Sequence, residues 1–256
     1  MSGFTDRQAE RILTIGDFKS PTSYSLPRSL FRKLVHFFSF HFILNRGSTS
    51  TTTVSGLRLT VPPTVFHPKL FLTSKFFADF VQNLDLRNKS VVEVGTGSGI
   101  LALSAAKARA AHLLALNPAA VAAAQKNAVD NGFADKVTAL ESDLFAAVPP
   151  SDRFDVIISS PPSFAGEPLN VADRAWHAGP NYCTIAPLFA QARTRLKPKG
   201  KMYLLLSSDS DLELFATLTR HAGFSSRLLA ERSIVVETFL LFELASMRDV
   251  TPTASN

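Results

Sequence analysis

The run VVEVGTGSGILALSAA, residues 91–106, places glycine at positions 95, 97 and 99, between a short apolar segment carrying one acid and an alanine-rich one. A brief apolar run bounded by turn residues is the pattern of a strand buried on both faces. The alanine-rich run that follows has the composition of a helix. Glycines at the junction let the main chain turn sharply and let a ligand lie against bare backbone. The spacing narrows what that ligand can be. The dinucleotide fingerprint G-x-G-x-x-G fails because Ile100 stands where its last glycine belongs. A P-loop fails because no Gly-Lys-Ser/Thr follows, and the nucleophile elbow G-x-S-x-G fails at Thr96.

Downstream the alternation continues. Residues 112–116, 136–142, 154–160 and 201–207 read as strands, and residues 118–132, 185–200 and 211–223 as helices. Pro118 falls in the first turn of one helix, and Gly132 and Gly200 mark helix stops. Residues 225–233 and 234–244 form a final strand pair, joined tightly around Ser233 and therefore antiparallel. Strands alternating with helices of this length predict an α/β fold with a mostly parallel sheet covered on both faces. Upstream, Val54, Leu57, Leu59 and Val61 alternate around Gly56 as in a small hairpin, ended by Pro62 and Pro63. Residues 69–84 form a helical candidate. The Phe-rich run 29–44 carries Arg32, Lys33, His36 and His41, and is too short and polar to span a bilayer. It reads as an amphipathic helix packed on the main domain, with a lid or a membrane-surface anchor as alternatives. These textures predict an N-terminal helical and hairpin element acting as a substrate lid (1–86), a core (87–246) and a flexible tail (247–256). No internal repeat is visible.

With 256 residues, 46% of them hydrophobic, the chain can bury one sizeable core. A net charge of +6 is compatible with an acidic partner such as RNA, and equally with none. The basic run Arg193, Arg195, Lys197, Lys199 and Lys201 sits at a helix end, where positive charge is favoured in any case. The single cysteine, Cys183, excludes an intrachain disulfide and a cysteine-based zinc site. No His/Asp/Glu grouping has metal-ligand spacing, so no metal is expected. With no leader-like segment at the start, a reduced cytoplasmic setting is the expectation.

The glycine run resembles motif I of the class I S-adenosylmethionine-dependent methyltransferases, and the resemblance extends over about residues 65–244. It implies a seven-stranded, Rossmann-like sheet with antiparallel C-terminal strands. Within that class the chain looks most like the small-domain branch, which includes HemK-type glutamine methyltransferases and several RNA methyltransferases. TVFHPKLFLTS resembles the branch's pre-core segment and DRAWHAGPNY its post-motif loop. The resemblance implies that Glu93 lies beside the methionine amino end and that Gly95, Thr96, Gly97 and Gly99 underlie the cofactor. It further assigns Asp143 and Leu144 to the adenine side, Asn117 to the ribose side and Thr73 to the cofactor pocket.

Two positions depart from the branch's pattern. Where members carry an acid for the ribose, this chain reads Leu116-Asn117-Pro118. Asn117 either accepts one weaker hydrogen bond, at a cost of about 1–3 kcal/mol in cofactor affinity, or caps the following helix. Where members carry Asn/Asp-Pro-Pro-aromatic, this chain reads Ser160-Pro161-Pro162-Ser163-Phe164. Ser160 thus takes the amide's place and Phe164 lies one residue late for the stacking ring. Asp173 and His177, four residues apart, either line a substrate pocket or form a solvated ion pair. The expected function is S-adenosylmethionine-dependent methyl transfer to nitrogen of a protein or RNA acceptor, or to a small molecule. A non-catalytic scaffold and non-methylation chemistry with the same cofactor are the alternatives.

Overall fold

A computed structural model describes residues 12–19, 48–63, 65, 72–110, 112–116, 120–169, 173–234 and 237–247. The Phe-rich run 29–44, Asn117 and Pro118 lie outside the described residues. Strands β1 (Ser50–Val54) and β2 (Leu57–Val61) form the expected antiparallel hairpin. Its turn residues Ser55 and Gly56 have φ of 52° and 73°, the left-handed pair that a two-residue hairpin loop needs. Helix α1 (Leu72–Gln82) follows, and then β3 (Ser90–Val94), α2 (Ile100–Lys107), β4 (His112–Leu116), α3 (Val121–Asp130), β5 (Val137–Leu140) and β6 (Phe154–Ser159). The chain continues through α4 (Pro187–Arg195), β7 (Leu196–Ser207), α5 (Leu212–His221), β8 (Phe224–Ser233) and β9 (Thr238–Ser246).

Seven strands make one sheet in the order β5-β4-β3-β6-β7-β9-β8. All neighbours pair in parallel except β9, which is antiparallel to both β7 and β8. The central strands β3, β6, β7 and β9 bury residues on both faces, and successive residues divide between two cores. Val91, Val156, Ile158, Tyr203, Leu205 and Leu241 pack with the hairpin, α1, α2 and α3. Val92, Val94, Ile157, Leu204, Leu206 and Leu240 pack with Phe189 of α4 and Phe215 of α5 on the opposite face. The hairpin shares the first of these cores with the sheet. On the second face the short turn Ile15–Asp17 buries Ile15, while Leu228 N donates to Leu13 O at 2.7 Å. That segment covers part of the edge that β8 would otherwise present.

Three boundaries differ from the sequence expectation. Helix α3 starts at Val121 with Ala120 as its N-cap, three residues later than the expected start at Pro118. Its far end agrees, with Gly132 at φ 74° just beyond Asp130. Helix α4 ends at Arg195, and Gly200 is not its stop, because Leu196 is already extended and pairs with Phe154 of β6. Residues 197–200 form a bulge in β7, where a Cβ on Gly200 would stand 2.9 Å from Lys197 O and 3.1 Å from Phe154 O. Glycine is what this close backbone approach allows. Finally, β9 begins at Thr238, with Ile234 N donating to Glu237 O at 2.8 Å across the connection. The hairpin therefore turns beyond Ser233, and its strand is shorter than the apolar run suggests.

Candidate functional site

The sheet order reverses at β3, whose neighbours β4 and β6 lead to opposite halves. In open α/β sheets the crevice outside the carboxyl ends of such strands is where ligands bind. Here the two strand ends are tied together. Ser159 Oγ, buried, donates to Val94 O at 3.0 Å, so the glycine loop after β3 and the Ser-Pro-Pro loop after β6 leave the sheet from a shared anchor.

Glu93 lies on the face that carries α2. It is 4% exposed, and its Oε2 accepts from Thr96 Oγ1 and from Ala102 N, both at 2.9 Å. Ala102 is the third residue of α2, whose N-cap Gly99 has no side chain to satisfy that amide. Glu93 thus caps the helix from the preceding strand, at the positive end of its dipole. Burial pushes the carboxyl up to about 7, against the opposing pull of those two hydrogen bonds. An acid poised there gains from a cation placed beside it.

The glycines of the loop have different tasks. Gly95 (φ 84°) has open space where a Cβ would be, whereas a Cβ on Gly99 (φ 81°) would stand 3.2 Å from Ala124 Cα of α3. Gly97 is half-buried between them. Gly95→Ala is therefore expected to lower stability by about 1–2 kcal/mol, from left-handed strain alone. Gly99→Ala should lower it by roughly 2–4 kcal/mol, since overpacking against a helix backbone adds to the strain. Thermal melts of the two variants check the order; equal losses would mean that the loop shifts away from α3 and only the strain remains.

A pair of asparagines holds this loop to the hairpin. Asn127, fully buried in α3, receives Thr60 N at 2.7 Å and donates to Thr60 O at 3.0 Å and to Ser98 O at 2.8 Å. One turn later Asn131 receives Arg58 N at 2.9 Å and donates to Arg58 O at 2.6 Å. The two amides act as an extra strand along the outer edge of β2, and Asn127 extends that pairing into the glycine loop. Neither residue figured in the sequence reading. The available signal was two side-chain amides four apart on one helix face, in NAVDN.

Asp143 is exposed beyond β5, and its carboxylate has no hydrogen-bond partner among the described residues. Leu144, next to it, holds φ at 48°. Ser142 Oγ fixes that bend by donating to Leu144 O at 2.9 Å and accepting Ala147 N at 3.0 Å. A leucine in this conformation is strained, and such strain gathers where a loop is shaped for a ligand. Two strand spacings, about 10 Å, separate the ends of β5 and β3, which is a nucleoside's reach. Thr73 is half-buried in the first turn of α1, with no hydrogen bond linking it to the glycine loop. Asn117 lies outside the described residues.

On the other side of the crevice Ser160 is exposed, and Pro161, Pro162, Ser163 and Phe164 are half-buried. Phe164 is fixed at both ends of its peptide: its N donates to Trp176 O at 2.9 Å, and its O accepts Ala178 N at 3.0 Å. Tyr182, buried with φ at 56°, donates its hydroxyl to Ser163 O at 2.7 Å and accepts Asp211 N at 3.1 Å. The post-motif loop thereby carries Trp176 and His177 against the Phe164 ring, with centroids at 6.2 and 5.9 Å. Asp173 is not a solvated partner: it is 2% exposed and accepts Leu169 N at 2.8 Å, with His177 Nδ1 at 3.0 Å. The structure joins Phe164 to the Asp173–His177 pair, a link the sequence left open.

The basic run is largely occupied. Arg193 bonds Ser246 Oγ, Arg195 bonds the carbonyls of Val148 and Pro149, Lys197 pairs with Asp155 and Lys201 with Glu243. Lys197 and Lys201 are neutralised by carboxylates; Arg193 and Arg195 are held in place by neutral oxygens and keep their charge. Among the described residues there is no group of three metal-ligating side chains, and no helix is long and apolar enough to cross a membrane.

The model of the methyltransferase small domain matches residues 57–234, well over half of the chain. A Methanocaldococcus jannaschii protein, provisionally named a protein N5-glutamine methyltransferase, is 34% identical over 112 residues, covering 43% of this chain and 52% of that protein. The release factor glutamine methyltransferase of Cereibacter sphaeroides is 42% identical over 83 residues, 31% of this chain and 29% of its own length. The structure of a T. thermophilus 16S rRNA N2 methyltransferase in complex with AdoMet and guanosine aligns with a TM-score of 0.57 at 24% identity. That alignment covers 77% of this chain and 50% of the other, and shows a shared fold. The chain spans about half or less of the length of the curated relatives it matches.

Proposed function

The chain belongs to the methyltransferase small domain family, and on that premise we propose that it is an S-adenosylmethionine-dependent methyltransferase. The observation that carries the reading is the bare, left-handed bend at Gly95, beside a buried acid, at the point where the strand order reverses. The open space at Gly95 leaves main chain free for a ligand to approach, and an ionised Glu93 suits a cationic one, so these residues fit the cofactor. Glu93, Gly95, Thr96, Gly97 and Gly99 would hold its methionine half. Asp143 and Leu144 would flank the adenine, Asn117 the ribose, and Thr73 would close the pocket from α1. When bound, the cofactor supplies an electrophilic methyl group. The chain's own contribution is alignment and exclusion of water.

The acceptor side is formed by Ser160, Pro161, Pro162 and Phe164; the described N-terminal pieces pack elsewhere, the Ile15–Asp17 turn against β8 and the hairpin and α1 in the core of the sheet. The relatives named for glutamine and rRNA acceptors motivate a protein or RNA acceptor, with a small molecule as the other class. Calorimetric titration with S-adenosylmethionine and S-adenosylhomocysteine tests the reading. Binding in the micromolar range is the expected result. No heat up to about 1 mM, an affinity limit near −4 kcal/mol, would leave a non-catalytic scaffold built on the same fold.

A further inference from the structure

We propose that His177, oriented by Asp173, is the general base of the acceptor site, and that the acceptor is a phenolic hydroxyl on a planar ring stacked against Phe164 and Trp176. The inference rests on the methyl-transfer reading and deepens it. Asp173 is 2% exposed, and its two oxygens are engaged by Leu169 N and by His177 Nδ1. A buried carboxylate on Nδ1 orients the imidazole and stabilises it once protonated, leaving Nε2 to take the proton. Nε2 has no hydrogen-bond partner among the described residues, and the His177 side chain is 31% exposed. Gly166, with φ at 127°, lies beside the ring, its Cβ position 3.4 Å from His177 Cδ2. Phe164 bridges to His177 along the backbone and packs on its ring. The pair therefore sits on the loop that leaves β6 beside the glycine turn.

The chemistry of Ser160 points the same way. A neutral planar nitrogen needs an amide to accept its N–H bonds and no base, and Ser160 offers a single short hydroxyl in the amide's place. A hydroxyl acceptor needs the reverse: no amide cradle, but a base for its proton. In the transfer, an oxygen lone pair forms the new O–CH3 bond as the S–CH3 bond breaks and sulfur keeps that bonding pair. The hydroxyl proton passes to His177 Nε2, its charge balanced by Asp173, and then to solvent.

Two readouts test this on the full chain, with para-nitrophenol as the probe. Bound to the protein with S-adenosylhomocysteine, the probe should show phenolate absorbance at a pH where it is protonated in buffer. His177→Gln should remove at least about nine-tenths of that signal, and Asp173→Asn most of it. Methyl transfer to the probe from labelled S-adenosylmethionine should fall 100-fold or more in His177→Gln and in His177→Ala, with added imidazole restoring part of it in the latter. Cofactor affinity and melting temperature should stay near wild type for His177→Gln, separating loss of a base from loss of the fold. The proposal is overturned if the cofactor binds but the probe is neither ionised nor methylated, or if His177→Gln leaves both signals within threefold. Absence of cofactor binding would instead overturn the methyl-transfer reading, and this inference with it.

Discussion

Glu93→Gln is expected to weaken S-adenosylmethionine binding about 10- to 100-fold while making the unliganded protein more stable at pH 8. The two effects have one cause. The carboxyl is pushed up to about 7 in the folded protein by burial, from an ordinary value of 4.5. Between those values the folded protein holds a proton that the unfolded chain has released. The contribution of this group to stability is therefore complete below about pH 4.5 and is lost as pH rises through 7. The difference amounts to on the order of 3 kcal/mol. Glutamine keeps an oxygen for Thr96 Oγ1 and Ala102 N but carries no charge to desolvate. It should remove the decline of stability between pH 5 and 8, gaining about 2–3 kcal/mol at the upper end. The same ionisation that destabilises the empty protein is what a cationic ligand uses. Wild-type affinity should accordingly tighten from pH 6 to 7.5, and that of Glu93→Gln should be both weaker and flat. Melts and titrations across this range check both halves. Parallel pH profiles for the two proteins would contradict the assignment.

Asn127→Ala should cost roughly 2–4 kcal/mol, because it strands Thr60 N, Thr60 O and Ser98 O near the core and leaves a cavity. For a chain of this size that is a fall of about 5–10 °C in melting temperature. Its effect on the cofactor distinguishes it from an ordinary core lesion. Freed from Asn127, the carbonyl of Ser98 no longer fixes the glycine loop, so affinity should drop about tenfold as well. Asn131→Ala is the control. It removes the bonds to Arg58 at the exposed end of the same clasp and touches nothing in the loop. It should cost about 1 kcal/mol and leave affinity within about twofold. Equal affinity losses in both variants would mean that hairpin docking as a whole, rather than the Ser98 bond, sets the loop.

The parts of this molecule that were legible in sequence are those governed by local periodicity. Val91, Val92 and Val94 announce a doubly buried strand, Gly95, Gly97 and Gly99 a sharp turn after it, and Val54, Leu57, Leu59 and Val61 a hairpin around Gly56. What escaped depends on contacts far apart in the chain. Gly200 reads as a helix stop, because nothing local says that Leu196 has already been captured by Phe154 of β6. Asn127 reads as one polar residue on a helix, because its partner Thr60 lies 67 positions away. Asp173 reads as a surface acid until the post-motif loop folds over it. In the candidate site most of the residues proposed for the cofactor, Glu93 to Gly99, lie in one contiguous motif that local spacing can mark. The loop proposed for the acceptor is held by contacts of Ser163, Phe164, His177, Tyr182 and Asp211 that no spacing rule encodes.

A crystal structure of the chain grown with S-adenosylhomocysteine measures the central claim most directly. The account predicts the nucleoside's density along the main chain of residues 95–97, its amino end toward Glu93 and its base toward Asp143. An empty crevice there, or the ligand lodged elsewhere on the protein, would contradict it.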